Sequence, residues 1–161
     1  MSCFAWRCAS SVEDERPGVS SQPAMDVPIC RVGVDLTSIS DVEASLASHG
    51  NRYLGRLFTE HEVASCQGPQ GPRPDSLAAR FAAKEAVLKV LRPTGSRPEW
   101  RDIEVRSQEN GACDIVLYGG AAALAEAQGV DQISVSLSHE AGMAVAVVVA
   151  FCRPVADIGS T

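Results

Sequence analysis

Three charges fall within six residues of one another, at Lys84, Glu85 and Lys89, in a stretch from Ser76 to Leu91 that is otherwise apolar or small apart from Arg80. That stretch reads as one helix, and a helix apolar on almost every side is normally buried. Buried charges are rare unless they are paired or hold a ligand. A carboxylate flanked by two ammonium groups suits a phosphorylated ligand together with a divalent cation. At about 100° per residue, Leu77, Phe81, Leu88 and Leu91 define one apolar stripe, and Lys84 falls inside it. Glu85 and Lys89 are four apart and neighbour each other at its edge. An ordinary Glu–Lys pair on a solvated face is the plain alternative. The opposite side of the helix (Ala79, Ala82, Ala83, Ala86, Val90) is no solvated face, which favours a site.

Two further groups could join these charges. Asp35 ends the alternating run Ile29 to Leu36; taken alone it would be a turn or cap residue. With a helix glutamate it supplies what Mg²⁺ takes, one or two carboxylates completed by water and phosphate oxygens. His139 follows Ser138 in Ser-Leu-Ser-His-Glu, before a Gly-containing turn, and could hydrogen-bond a phosphate or ribose there. His49 and His61 read as structural or solvated. No Ser–His–Asp triad and no Walker-type phosphate loop can be argued.

The elements that must hold these residues can be read in outline. In Ile29 to Leu36, Cys30, Val32, Val34 and Leu36 share one face of a strand, and Arg31, Gly33 and Asp35 the other. Ser38 or Ser40 caps a helix that stops at Gly50, and a second helical segment covers 52–58. Thr59-x-x-Glu62 has the form of a capping box. Residues 68–74 hold three prolines and two glycines and read as a loop. The central helix starts at a cap on Asp75 or Ser76 and ends at Arg92-Pro93. Strands at 102–106 and 113–118 flank a turn at Glu109-Asn110-Gly111. An Ala-rich helix from Gly120 stops at Gly129, and strands at 132–138 and 143–151 close the chain. The segregation of helices from antiparallel pairs gives an α+β class, with antiparallel strands on a long central helix. Residues 1–28, rich in Ser, Pro and charge, read as a disordered extension, with Met25 an alternative start; 29–153 is the domain and 154–161 a tail.

Composition narrows the classes. With 14 Lys and Arg against 20 Asp and Glu, the net charge is −6. That argues against a general nucleic-acid binder, which needs a basic stripe. No apolar run suits a membrane span, and Ala141 to Phe151 fits a core strand better. The six cysteines form no CxxC pair and match no zinc spacing, as expected of reduced thiols in the cytoplasm.

Four blocks resemble the holo-acyl-carrier-protein synthases, the short 4′-phosphopantetheinyl transferases. They are Val32-Gly33-Val34-Asp35-Leu36, Arg56 to Glu62, Ala79 to Lys89, and Val135 to Glu140. The resemblance runs from about residue 30 to 152 in motif order, and the Lys-Glu-Ala-x-x-Lys helix with the Ser-His block carries it. It implies transfer of 4′-phosphopantetheine from coenzyme A to a serine of apo acyl carrier protein, releasing adenosine 3′,5′-bisphosphate. It further implies that Asp35 and Glu85 bind Mg²⁺. Lys89 would sit by the pyrophosphate and help the leaving phosphate. Lys84 and His139 would contact coenzyme A phosphates, with Ser138 beside them. Glu85, or a metal-bound water that it orients, is the candidate base. Members of this short type are homotrimers with each site between two subunits, and the apolar run Ala144 to Val149 could pack across such an interface.

One position departs from the family's pattern. Many members carry an arginine six residues after the Gly-x-Asp aspartate, on the helix that meets the carrier, and here that residue is Asp41. Acyl carrier proteins are acidic, as this chain is, so docking needs a local basic patch, and Arg52 and Arg56 are placed to supply one. A catalytically silent coenzyme A or nucleotide-binding module of the same fold is the competing reading, disfavoured by the joint presence of Asp35, Glu85 and Lys89.

Overall fold

The structure, a computed structural model, describes residues 27–153. The expectations for most of residues 1–28, for a start at Met25 and for 154–161 lie outside that span. The elements run β1 (Ile29–Ser38), α1 (Ile39–Leu57), α2 (Glu60–Ser65), β2 (Gln67–Gly68), β3 (Gly71–Pro72), α3 (Pro74–Leu91), β4 (Ile103–Ser107), β5 (Cys113–Leu117), α4 (Gly119–Ala127), β6 (Val130–Glu140) and β7 (Met143–Cys152), with a 3-10 turn at Trp100–Asp102 before β4. The α+β expectation holds.

Helix α3 is the axis of the molecule, and Gly33 explains how β1 lies on it. A Cβ at Gly33 would sit 2.1 Å from the carbonyl oxygen of Ala86, so only glycine lets the two backbones approach this closely. The face of β1 bearing Arg31, Gly33 and Asp35 therefore packs on α3. Cys30, Val32, Val34 and Leu36 turn outwards, with Val32 60% and Leu36 62% exposed. The apolar face of this strand is the uncovered one.

The main sheet has the order β1-β7-β6, antiparallel throughout. Its register aligns Asp35 with Ala146 and Leu137, and Val34 with Val147 and Ser136. Ala144, Ala146, Val148 and Ala150 of β7 are buried against α3, while Met143 and Phe151 on the other face are exposed. Small residues on the inner face let a helix as broad as α3 settle close to the sheet. Ala141 (φ 50°) and Gly142 (φ 79°) make the tight β6–β7 turn, the left-handed pair that matches strand twist. The β4–β5 hairpin forms a separate two-stranded sheet, turning at Gly111 (φ 84°).

Local signals explain most boundaries. Gly50 (φ 48°, ψ −128°) breaks α1 into two helical arms where a stop was expected. Both hydrogen bonds of the Thr59–Glu62 capping box form. The expected cap of α3 is corrected. The N-cap is Arg73, which offers no side-chain bond, and Pro74 takes the first helical position, where its missing N–H costs nothing. Asp75 already lies inside the first turn, accepting from the Ser76 N–H at 2.6 Å. Arg92 in the left-handed conformation ends the helix, its N–H donating to Leu88. The 68–74 loop gains a two-residue strand pair, Gln67–Gly68 with Gly71–Pro72, that turn composition did not announce.

Candidate active site

Helix α3 is buried along its whole length except where Pro74, Asp75, Phe81, Glu85 and Lys89 reach the surface. The last three are four residues apart. They drift by only about 40° per step and so form one line along the helix. Phe81 and Glu85 line a cleft of ≈ 520 Å³ with Asp35, Leu36, Thr37 and Ser38 from β1 and its end, Asp41, Val42, Ser45, Tyr53 and Leu57 from α1. Strand β1 and helices α1 and α3 thus converge on one opening.

Lys89 does not pair with Glu85, its neighbour one turn back. Its Nζ lies 2.8 Å from Asp35 Oδ1 and also donates to the carbonyl of Val34. The alternative of a solvated Glu85–Lys89 pair does not form: Lys89 takes Asp35 on β1, and Asp35 and Glu85 line one cleft. Among the described residues Glu85 has no ion-pair partner. Three carboxylates, Asp35, Asp41 and Glu85, open on the cleft from β1, α1 and α3, and Asp35 already carries a cation. That donor set fits Mg²⁺, which needs one or two protein carboxylates beside water and phosphate. No group of three His, Cys, Asp or Glu among the described residues forms an enclosing cage, which Mg²⁺ does not require.

Lys84 is a correction. It was expected to contact coenzyme A phosphates, and it is fully buried instead. Its Nζ donates to Glu62 Oε2 at 2.8 Å, to Trp100 O at 2.9 Å and to Ile103 O, and it lies 5.6 Å from the Phe58 ring centroid. All three ammonium protons are used inside the protein. Burial pushes the Lys84 pKa down, and the Glu62 carboxylate pulls it partly back. Glu62 is equally buried and accepts from the Thr59 N–H at 2.9 Å and the Val105 N–H at 3.1 Å as well. This pair fastens α2, α3, the Trp100–Asp102 turn and β4 together behind the cleft. Trp100 packs on Phe81 with ring centroids 5.2 Å apart and the planes tilted by 47°, so the knot supports the cleft wall.

Ser138 and His139 part company. They are successive strand residues, so they face opposite ways. Ser138, aligned with Val145, belongs to the uncovered face of the sheet, and His139, aligned with Ala144, to the face that meets α3. His139 Nε2 lies 3.6 Å from Asp75 Oδ2, at the N-terminal end of α3. Ten residues of helix separate that point from Glu85, about 15 Å. Within one chain neither residue reaches the Asp35–Glu85 cleft. Arg52 and Arg56, with His49, Tyr53 and Leu57, line a second cavity of ≈ 360 Å³. Tyr53 and Leu57 border both openings, which makes the two arginines neighbours of the cleft. Sequence reasoning missed Phe81, Tyr53 and Thr37 as cleft residues. Phe81 carried a usable signal, since it stands one helical step before Glu85.

The 4′-phosphopantetheinyl transferase superfamily model matches residues 31–148. The chain belongs to this superfamily. Among curated relatives, the holo-[acyl-carrier-protein] synthase of Moorella thermoacetica is 46% identical over 107 residues, 66% of this chain and 82% of that one. That of Dehalococcoides mccartyi is 43% identical over 118 residues, 73% and 95% of the two chains. The Helicobacter pylori synthase in complex with coenzyme A superposes with a TM-score of 0.65 at 29% identity, covering 74% of this chain and 99% of that one. The matched span holds Asp35, Glu85, Lys89 and His139 alike, so every family motif read in the sequence lies within it.

Proposed function

We propose that this superfamily member transfers 4′-phosphopantetheine from coenzyme A to a serine hydroxyl of apo acyl carrier protein. The observation that carries the reading is that Asp35 and Glu85 open on one cleft while Lys89 is paired to Asp35. The serine oxygen attacks the β-phosphorus, the bond from that phosphorus to the bridging oxygen breaks, and adenosine 3′,5′-bisphosphate leaves. Glu85, unpaired within the cleft, accepts the serine proton. Lys89 places an ammonium beside the diphosphate and stabilises charge on the leaving phosphate. Mg²⁺, held by Asp35 and Glu85 when bound, would supply positive charge against the diphosphate oxygens. Phe81, Tyr53 and Leu57 give the cleft an apolar wall, and Arg52 and Arg56 beside it offer the basic patch an acidic carrier needs. A cytoplasmic setting agrees with free thiols at Cys30, Cys66, Cys113 and Cys152.

The active unit in this proposal is a homotrimer whose sites lie between subunits. Two features support it. The outer face of β1 and β7 is apolar and uncovered, with Val32, Val34, Leu36, Met143 and Phe151 all exposed. Ser138 and His139 stand apart from the cleft of their own chain, where a neighbour's cleft could use them.

Incubation with coenzyme A, Mg²⁺ and apo carrier tests the chemistry. The carrier gains the mass of one phosphopantetheine, and Glu85→Gln abolishes the gain. Coenzyme A binding without transfer would instead identify a silent binding module. Subunit mixing tests the shared site. Glu85→Gln and His139→Ala protomers are each inactive alone; mixed one to one, they regain about a quarter of the wild-type activity, because that fraction of interfaces pairs two intact halves. Mixtures as inactive as their parents would refute a shared site.

A further inference from the structure

The cation on Asp35 belongs to the protein itself. Lys89 Nζ is 2.8 Å from Asp35 Oδ1, and a second of its protons goes to the Val34 carbonyl on the same strand. Asp35 is the more enclosed partner, its side chain 20% exposed against 51% for Lys89. The ammonium therefore approaches from the solvent side, on a flexible stem, and can leave without disturbing the core. Glu85 lies one turn back on the same helix, within reach of that stem. We propose that Lys89 is a displaceable counter-ion of Asp35: a divalent cation that binds Asp35 must first release it, and the released ammonium is taken up by the diphosphate of the substrate. This deepens the transferase reading and rests on it.

The consequence is linkage. Metal and coenzyme A bind cooperatively beyond their direct contact, because each stabilises the arrangement with Lys89 off Asp35. In the absence of coenzyme A, Lys89 works against the metal. Partly exposed ion pairs are worth up to about 1 kcal/mol, which converts to about five-fold in affinity.

Mn²⁺ serves as the probe, with the free aquo ion counted by electron paramagnetic resonance, so that no turnover is needed. Wild type, Lys89→Met, Lys89→Arg and Asp35→Asn are titrated with and without coenzyme A, after circular dichroism has confirmed that each is folded. The expected result is that Lys89→Met binds Mn²⁺ about five-fold more tightly than wild type without coenzyme A. The factor by which coenzyme A tightens Mn²⁺ binding falls by a similar amount. Lys89→Arg, which can keep the pair, stays near wild type and shows that the effect follows the counter-ion rather than a loosened helix. An unchanged Mn²⁺ affinity in Lys89→Met, with Asp35→Asn clearly weakened, overturns the counter-ion proposal and leaves the transferase reading standing. Equal binding by wild type and Asp35→Asn removes Asp35 as a metal ligand and overturns both the proposal and the metal part of that reading.

Discussion

Lys84→Met would remove the ammonium of the buried Lys84–Glu62 pair and keep most of the side chain's bulk. Three hydrogen bonds go with it, to Glu62, Trp100 and Ile103. Glu62 remains at 0% exposure with only the Thr59 and Val105 N–H groups as donors. Removing one partner of a buried pair costs about 3–5 kcal/mol, mainly because the other charge is left uncompensated. A domain of this size unfolds with an entropy of about 0.25 kcal/mol per kelvin, so Tm should fall by about 12–20 °C. Thermal unfolding followed by circular dichroism at fixed protein concentration measures this. Concentration must be held because association shifts apparent stability. Adding Glu62→Gln to the variant neutralises the stranded carboxylate and keeps a capping acceptor. The double variant should be more stable than the sum of the single effects by about 1–3 kcal/mol. The reasoning is refuted if Lys84→Met melts within about 3 °C of wild type and instead binds coenzyme A much more weakly. That pair of results would place Lys84 at the ligand, where the family resemblance had put it.

Gly33→Ala should cost at least about 2 kcal/mol, since the added methyl meets the Ala86 carbonyl and Val90 from two turns of α3, and overpacking of this kind has no soft neighbour to yield; urea titration reads the loss, and carrier modification should fall with it because the displaced turns carry Glu85 and Lys89. For the Glu104 carboxyl, burial pushes its pKa up, but the Arg106 hydrogen bond, the Thr59 hydrogen bond and the Arg106 charge outweigh this and hold it below its ordinary 4.5. A carboxyl lowered by folding stabilises the protein above its unfolded pKa and loses that contribution as pH falls through the folded value, so Glu104→Gln should be the less stable protein at pH 7 and converge on wild type in denaturant titrations as acid carries the pH through that lowered value. Arg52→Glu with Arg56→Glu should lower kcat/KM for an acidic apo carrier at least about ten-fold, and the effect should shrink at high salt, while coenzyme A affinity measured by calorimetry holds; equal losses for carrier and coenzyme A would remove the arginines from docking.

Spacing made much of this protein legible before any coordinates. Thr59 and Glu62 stand three apart and make the capping box they spell. Gly50 interrupts α1 where the helical pattern stops. Helix angles alone put Lys84 inside the apolar stripe and Glu85 and Lys89 at its edge, which is where the structure has them. The error over Lys84 came from assigning a motif residue a ligand role against its own angular position. What stayed hidden was pairing over distance. Glu62 reads as a cap residue because its other partners, Lys84 and Val105, lie 22 and 43 residues away. Lys89 choosing Asp35 over Glu85 was hidden for the same reason: a helical neighbour is visible in the sequence, and a strand 54 residues distant is not.

Strand β1 carries a second lesson about alternation. A period of two separates two faces without saying which one the chain itself will cover. Here the face bearing Arg31, Gly33 and Asp35 goes to α3, and the face of Cys30, Val32, Val34 and Leu36 stays open. Turning the strand over would bury valines, but it would set their side chains where Gly33 now admits the Ala86 carbonyl, and it would carry Asp35 away from the cleft. The fold therefore leaves an apolar strand face exposed in one chain and holds the Asp35 carboxylate on the cleft that Glu85 also lines. An apolar strand face of this kind is the usual mark of a surface that a partner covers. A second copy of the same sheet has the apolar chemistry to cover it, as the proposed trimer requires.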